Sequence, residues 1–196
     1  MKTETENPQR TKIEPEPMAT RVALHPFLAG MNRTQLALLM DCAIAARFKP
    51  GQVILREGEF ANRCYLIETG KVMLESMSSL REPLVIETIG AGDLLGWSWM
   101  FPPYTWQFTA RAIDPTMAIF FFGTLLREYC EKDHSLGYEL LKRISAVMVK
   151  PLQAAHQQMV SLYSHRASRE QLIGESLLAG GRSRIFRSQS RVRRRK

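Results

Sequence analysis

The chain predicts a mainly β fold, an antiparallel sandwich, roll or barrel with helices before and after it. Two observations carry this. Short apolar runs punctuated by Gly, Pro and acidic turns recur every eight to twelve residues from Arg47 to Phe122. On either side of that block the apolar period changes to a helical one, over about 35–45 and again after Gly123.

The elements follow in order. Residues 1–20 are rich in Glu, Thr and Pro with few apolar side chains, and read as a disordered segment. They contain no apolar core of a secretory signal, so a cytoplasmic protein is expected. His25-Pro26-Phe27-Leu28 looks like a short anchoring turn. Asn32 to Gln35 has the form of a capping box opening a helix that runs to about Ala45. Strands are expected over 52–56, 63–68, 71–77, 83–89, 105–113 and 116–122, separated by turns such as Pro50-Gly51 and Thr69-Gly70. Strand alternation places Trp106, Phe108, Ala110 and Ala112 on one face, and Gln107, Thr109 and Arg111 on the other. Residues 124–132 form a short helix, and a much longer one is expected over about 135–164. Along it Leu141, Ile144, Met148, Leu152, Ala155, Met159 and Leu162 recur at steps of three and four, close to a heptad seam. A homodimer through that seam is expected, the alternative being a stripe packed on its own domain. Pro151 interrupts the backbone ladder and predicts a kink near Val149.

The formal charge of +8 is not spread over the chain. Residues 165–196 hold ten Arg or Lys and two Glu, and the remainder is formally neutral. The body is therefore not a basic nucleic-acid-binding surface. The tail, above all residues 182–196, could hold polyanions by charge alone, with strong salt dependence. No apolar stretch reaches the length of a membrane span. The three cysteines Cys42, Cys64 and Cys130 lack metal-ligand spacing and read as reduced, mostly buried thiols; no metal is expected.

The densest chemistry lies in 90–112. Gly90, Gly92 and Asp93 form a tight turn, Leu94-Leu95 follows, and Gly96 permits close backbone approach to a ligand. A helical turn opening after it would aim free N–H groups at an anion. All three tryptophans, Trp97, Trp99 and Trp106, fall in this window. The candidate ligand-binding set is Gly96, Trp97, Ser98, Trp99, Met100, Trp106, Gln107 and Thr109, an aromatic lining with a few polar groups. The same rings could instead fill the cavity as core.

Pro50, Gly51, Val53, Gly58 and Glu59, then Tyr65, Ile67, Gly70 and Val72, then Gly90, Gly92, Asp93 and Gly96, stand in an order that resembles the cyclic-nucleotide-binding domain of the Crp/Fnr superfamily. The resemblance covers about 24–164. It implies an α+β, mainly β fold: an eight-stranded antiparallel β-roll (a double-stranded β-helix, jelly-roll-like) with a long C-terminal dimerisation helix. The domain would span 21–164, with the helix over about 135–164 and a basic tail over 165–196. In that family a glutamate after the cassette glycine holds the ribose, and an arginine pairs with the cyclic phosphate. Here those positions fall on Trp97 and Trp106, while Thr109 matches the family's Ser or Thr. Losing a charge-assisted phosphate bond costs about 1.5–3 kcal/mol, so cAMP or cGMP binding in the usual manner is disfavoured and no cofactor is required. Arg111 has the wrong parity to substitute. The 32 residues after Ser164 are too few for a winged helix-turn-helix, so sequence-specific DNA binding is not expected.

The expected function is a small-ligand-sensing regulatory module with an unidentified effector. The alternatives are a ligand-free dimeric interaction module, or nonspecific nucleic-acid or membrane-surface binding through the Arg-rich tail. No nucleophile–base pair or paired carboxylates suggest an enzyme.

Overall fold

The computed structural model describes residues 16–77, 83–149, 152–153, 156–157, 159–161 and 163. The chain divides into two compact units, Met1–Ser145 and Ala146–Lys196.

The first unit begins with α1 (Met18–Leu24), a single 3-10 turn (Pro26–Leu28) and α2 (Arg33–Met40). Eight strands follow: β1 (Ala43–Phe48), β2 (Val53–Leu55), β3 (Arg63–Thr69), β4 (Lys71–Met77), β5 (Pro83–Gly90), β6 (Leu94–Leu95), β7 (Thr109–Ala112) and β8 (Thr116–Phe122). Helix α3 (Gly123–Lys132) comes next, and residues 134–145, here α4, are also helical. The described residues of the second unit, beginning with 146–149, are helical as well.

The strands make two four-stranded sheets, ordered β1-β8-β3-β6 and β2-β7-β4-β5, antiparallel throughout. Consecutive strands alternate between the sheets at several points, which is what closes them into a roll. This is the expected β-roll, and β4 and β8 have the expected limits. Strand alternation sorts the side chains of β3. Tyr65 and Ile67 join the interior cluster with Leu55, Val72, Leu95, Trp106, Ala110 and Ala118. Cys64 and Leu66 face the other way, toward Leu28, Leu39, Trp99, Phe121, Leu126, Leu140 and Ile144 around an apolar void of about 20 Å³. The roll thus has a filled interior and a second apolar layer.

Four expectations differ from what is observed. Met18–Thr20, placed by sequence in a disordered segment, open α1. Val22 is fully buried and Arg21 makes a two-point ion pair with Glu68 on β3, so tertiary contacts hold a helix whose sequence signal is weak. Helix α2 stops at Met40 rather than about Ala45, because all six residues of β1 pair with β8. The capping box at its start is present in both directions, Gln35 N–H to Asn32 Oδ1 at 2.9 Å and Asn32 N–H to Gln35 Oε1 at 3.1 Å. The strand expected over 105–113 is regular only at Thr109–Ala112. Trp106 instead pairs with the 58–59 loop, its N–H donating to Glu59 O and its carbonyl accepting from Gly58 N–H, each at 2.9 Å.

The fourth difference concerns the expected dimer seam. Ile144 is 1% exposed and, with Leu136 and Leu140, packs on its own unit, so a stripe of three residues spaced four apart anchors α4 there. Leu141 is 40% exposed. In the second unit Met148 is half-buried, and Leu152 and Met159 are 69% and 55% exposed. Ala155 and Leu162 lie outside the described residues, as do Pro151 and all of 165–196, including the basic tail.

Candidate functional site: a glycine cassette closed by tryptophan

The cassette begins in a hydrogen-bonded turn. Gly90 N–H donates to Asp93 Oδ2 at 2.8 Å, and Asp93 N–H returns to Gly90 O at 3.1 Å. Gly92 N–H donates to Ile67 O (2.8 Å) and Ile67 N–H to Asp93 O (2.9 Å), which ties the turn to β3. The same Ile67 carbonyl accepts from His25 Nε2, 3.0 Å away, while His25 Nδ1 accepts from Phe27 N–H at 3.3 Å. His25 is therefore a neutral, fully engaged imidazole. Burial holds its pKa below the usual histidine value, against the opposing pull of the Ile67 carbonyl and the Glu68 and Asp93 carboxylates.

Leu94 and Leu95 then pair with Leu66 and Tyr65, and Gly96 follows at φ +83°. A Cβ there would lie 3.0 and 3.1 Å from Trp106 Cζ3 and Cη2, and 3.2 Å from Leu55 Cδ1. Glycine is needed for the left-handed backbone and for the indole lying against it. Trp106 is 1% exposed and part of the roll's interior cluster. The Trp106 indole thus rests on the cassette glycine itself.

The eight sequence-derived candidates do not converge on one space. Gly96 and Trp106 touch, and half-buried Trp97 packs on the same cluster, with its ring 6.3 Å from that of Phe101. Buried Ser98 and half-buried Met100 lie in the short 3-10 turn Ser98–Met100. Trp99 belongs to the other layer. Its ring covers Gly123, where a Cβ would come within 2.6 Å of Trp99 Cβ, and it lines the void beside Cys64. Arg127 fixes this corner by donating to Trp99 O and lying 4.5 Å over the Tyr104 ring. Gln107 is exposed and bonds back to Thr105 O at 3.0 Å; Thr109 Oγ1 accepts from Glu57 N–H at 3.1 Å. Both stand on the outer side of their segment, as strand alternation requires, away from the Trp106 cluster.

Arg111 does not reach the cassette. It is on the outer face, where its Nε and Nη2 donate to Glu75 Oε1 at 3.2 and 2.9 Å and its Nη1 to Gly51 O at 3.1 Å. Among the described residues four buried side-chain atoms have no hydrogen-bond partner: Arg63 Nε, Ser98 Oγ, Trp99 Nε1 and Trp106 Nε1. The thiols are poorly reactive. Burial is the main cause raising Cys42 and Cys130 to about 11 and Cys64 higher still. Among the described residues no group of three or more His, Cys, Asp and Glu is placed to hold a metal ion, and no described helix is long and apolar enough to cross a membrane.

Sequence reasoning placed Arg63 at the start of a strand without a site role and named Tyr65 only in the family pattern. Arg63 shares the interior-facing parity of Tyr65 and Ile67 on β3, a signal that strand alternation already carried.

Two antiparallel sheets closed into a roll, a Gly-rich turn leading into β6 and flanking helices make up a β-roll of the cyclic-nucleotide-binding type. Residues 45–133 match the family model described as the cyclic nucleotide-binding domain. No curated protein matches the sequence significantly. Among solved structures, the chain is similar to one described as a cyclic nucleotide-binding protein from Geobacter metallireducens GS-15. The TM-score is 0.62 at 26% identity, covering 68% of this chain and 97% of that one. A cyclic nucleotide-binding domain from Methylobacillus flagellatus KT superposes with TM-score 0.63 at 18% identity, over 71% and 82% of the two chains. The Catabolite Activator Protein of Thermus thermophilus gives 0.58 at 18%, over 70% and 62%. These last two likenesses concern the fold.

Proposed function

We propose that this chain is a regulatory module of the cyclic-nucleotide-binding type in which Trp106 fills the place of the phosphate anchor. It does not take cAMP or cGMP in the family's ion-paired manner. One observation carries the reading: the Trp106 indole is 1% exposed and lies against Gly96. A nucleotide phosphate brought to that glycine would meet an aromatic ring where it needs a guanidinium, and would lose its charge-assisted bonds. The module acts by association rather than catalysis. Leu152 and Met159, seven residues apart and exposed, are a heptad-related pair for a second copy.

The test is thermal melting of the full chain with cAMP and cGMP, each up to millimolar concentration. A ligand at 100 times its Kd adds about 2.7 kcal/mol to stability, a shift readily seen. No shift is expected, and a clear one would overturn the reading.

A second reading is favoured by the unpartnered Trp106 Nε1. A small aromatic effector bearing a hydrogen-bond acceptor would pair with this N–H as the indole shifts to admit it. Tryptophan emission that moves with such a compound, and not with cyclic nucleotides, would select it.

A further inference from the structure

The roll contains a guanidinium that no acid neutralises. Arg63 stands at the start of β3, directly opposite Phe122 of β8 on the neighbouring strand, and the next interior pair on these strands is Tyr65 opposite Phe120. Cross-strand partners share a face, so all four side chains belong to the interior face of one sheet. Three rings form a continuous wall with Phe48: Phe48–Tyr65 at 5.3 Å, Tyr65–Phe120 at 5.5 Å and Phe120–Phe122 at 4.6 Å between centroids. This end is open to solvent, since Phe122 is 48% exposed and Ile44, opposite Phe120, is 49% exposed.

Arg63 itself is half-buried. Its Nη2 reaches Ile54 O on the facing sheet at 3.4 Å and its Nη1 reaches Asn62 Oδ1 at 3.5 Å, both at the long limit for a hydrogen bond. Its Nε is buried and has no partner. Among the described residues no carboxylate lies within ion-pair distance of it, whereas Arg21, Arg111 and Arg143 each pair with a glutamate. A half-buried guanidinium with only two long contacts keeps capacity for an anionic partner. The Tyr65 hydroxyl is close enough to feel Arg63, which counters the upward push of burial on its pKa.

We infer that Arg63, backed by the Phe48–Tyr65–Phe120–Phe122 wall, forms a binding site for a small aromatic anion at the open end of the roll. A planar guanidinium favours a carboxylate or phosphate oxygen pair. The ring wall favours a flat apolar body. This site is separate from the Trp106 plug and goes beyond the proposed regulatory reading; it holds whether or not cyclic nucleotides bind the cassette.

The experiment is isothermal titration of the full chain at low salt with phenyl phosphate, benzoate, benzyl alcohol and inorganic phosphate, on the native protein and on Arg63→Gln, Arg63→Lys and Tyr65→Phe. The basic tail is present in every chain, so differences between variants report the roll. At least one aromatic anion is expected to bind the native chain. Its affinity should fall about tenfold or more in Arg63→Gln, as loss of one charge-assisted contact implies, and less in Arg63→Lys. Which anion binds assigns carboxylate or phosphate chemistry. The melting temperature of Arg63→Gln should not drop, because no ion pair is lost; this separates a ligand anchor from a structural residue. The inference is overturned if neither aromatic anion binds, if Arg63→Gln binds as well as the native chain, or if benzyl alcohol binds equally.

Discussion

Replacing Trp106 by alanine measures how firmly the cassette is plugged. The indole is buried to 1% against Leu55 and Gly96. A buried tryptophan removes about 150–250 Å² from water, which at about 25 cal/mol per Å² is worth roughly 4–6 kcal/mol as an upper bound. Measured core Trp→Ala losses are about 3–5 kcal/mol, and both figures point the same way. For a chain of this size each kcal/mol moves the melting temperature by about 2–4 °C, so a fall on the order of 6–20 °C is expected. Trp106→Phe should cost far less, because it keeps most of the ring and removes the unpartnered indole N–H. Differential scanning calorimetry of the three proteins is the assay, repeated with millimolar indole. An apolar void binds an apolar guest, so indole should raise the melting temperature of Trp106→Ala and leave the native protein unchanged. A fall of less than about 2 °C in Trp106→Ala, below the per-kcal/mol shift expected, would refute the plug. So would equal responses of the native and alanine proteins to indole.

Two further outcomes are expected. Burial lowers the pKa of His25, so the unfolded chain binds the proton more readily than the folded one. The corresponding stability is complete above about pH 6.5, the unperturbed value, and is lost as the pH falls below it toward the folded pKa; the melting temperature should therefore drop more from pH 7 to 5 in the native protein than in His25→Gln, and parallel curves would exclude the mechanism. If the second unit joins two copies, light scattering should give twice the chain mass for the native protein and the single mass for a Leu152→Glu/Met159→Glu pair, since two charges placed in an apolar seam are strongly disfavoured; a native chain already at single mass would rule this out.

Much of the fold was legible because its signals are local. Turn glycines and alternating runs fix strands such as β4 and β8, and the Asn32–Gln35 capping box fixes where α2 begins. The end of α2 was not legible, because residues 43–45 read equally as helix until β8 supplies six pairing partners. Helix α1 was missed for the same reason: Val22 and the Arg21–Glu68 pair act across 47 positions of sequence. At the site, the crowding of three tryptophans around the glycine cassette could be read from the sequence alone. Where their rings point could not. Trp99 and Trp106 are seven residues apart in one window, yet one packs beside Cys64 in the outer layer and the other on Gly96 inside the roll.

The class of fold, the order of its turns and the crowding of three tryptophans around the cassette glycines follow from the sequence by itself, since each is a matter of residue type at a given spacing. Only the tertiary structure decided that Trp106 closes the cassette, that Ile144 belongs to its own unit, and that Arg63 stands without an acid. These depend on which strands lie opposite one another. A cation's partner, or the ring that fills a cavity, comes from residues that are distant in the chain and meet only when the two sheets close.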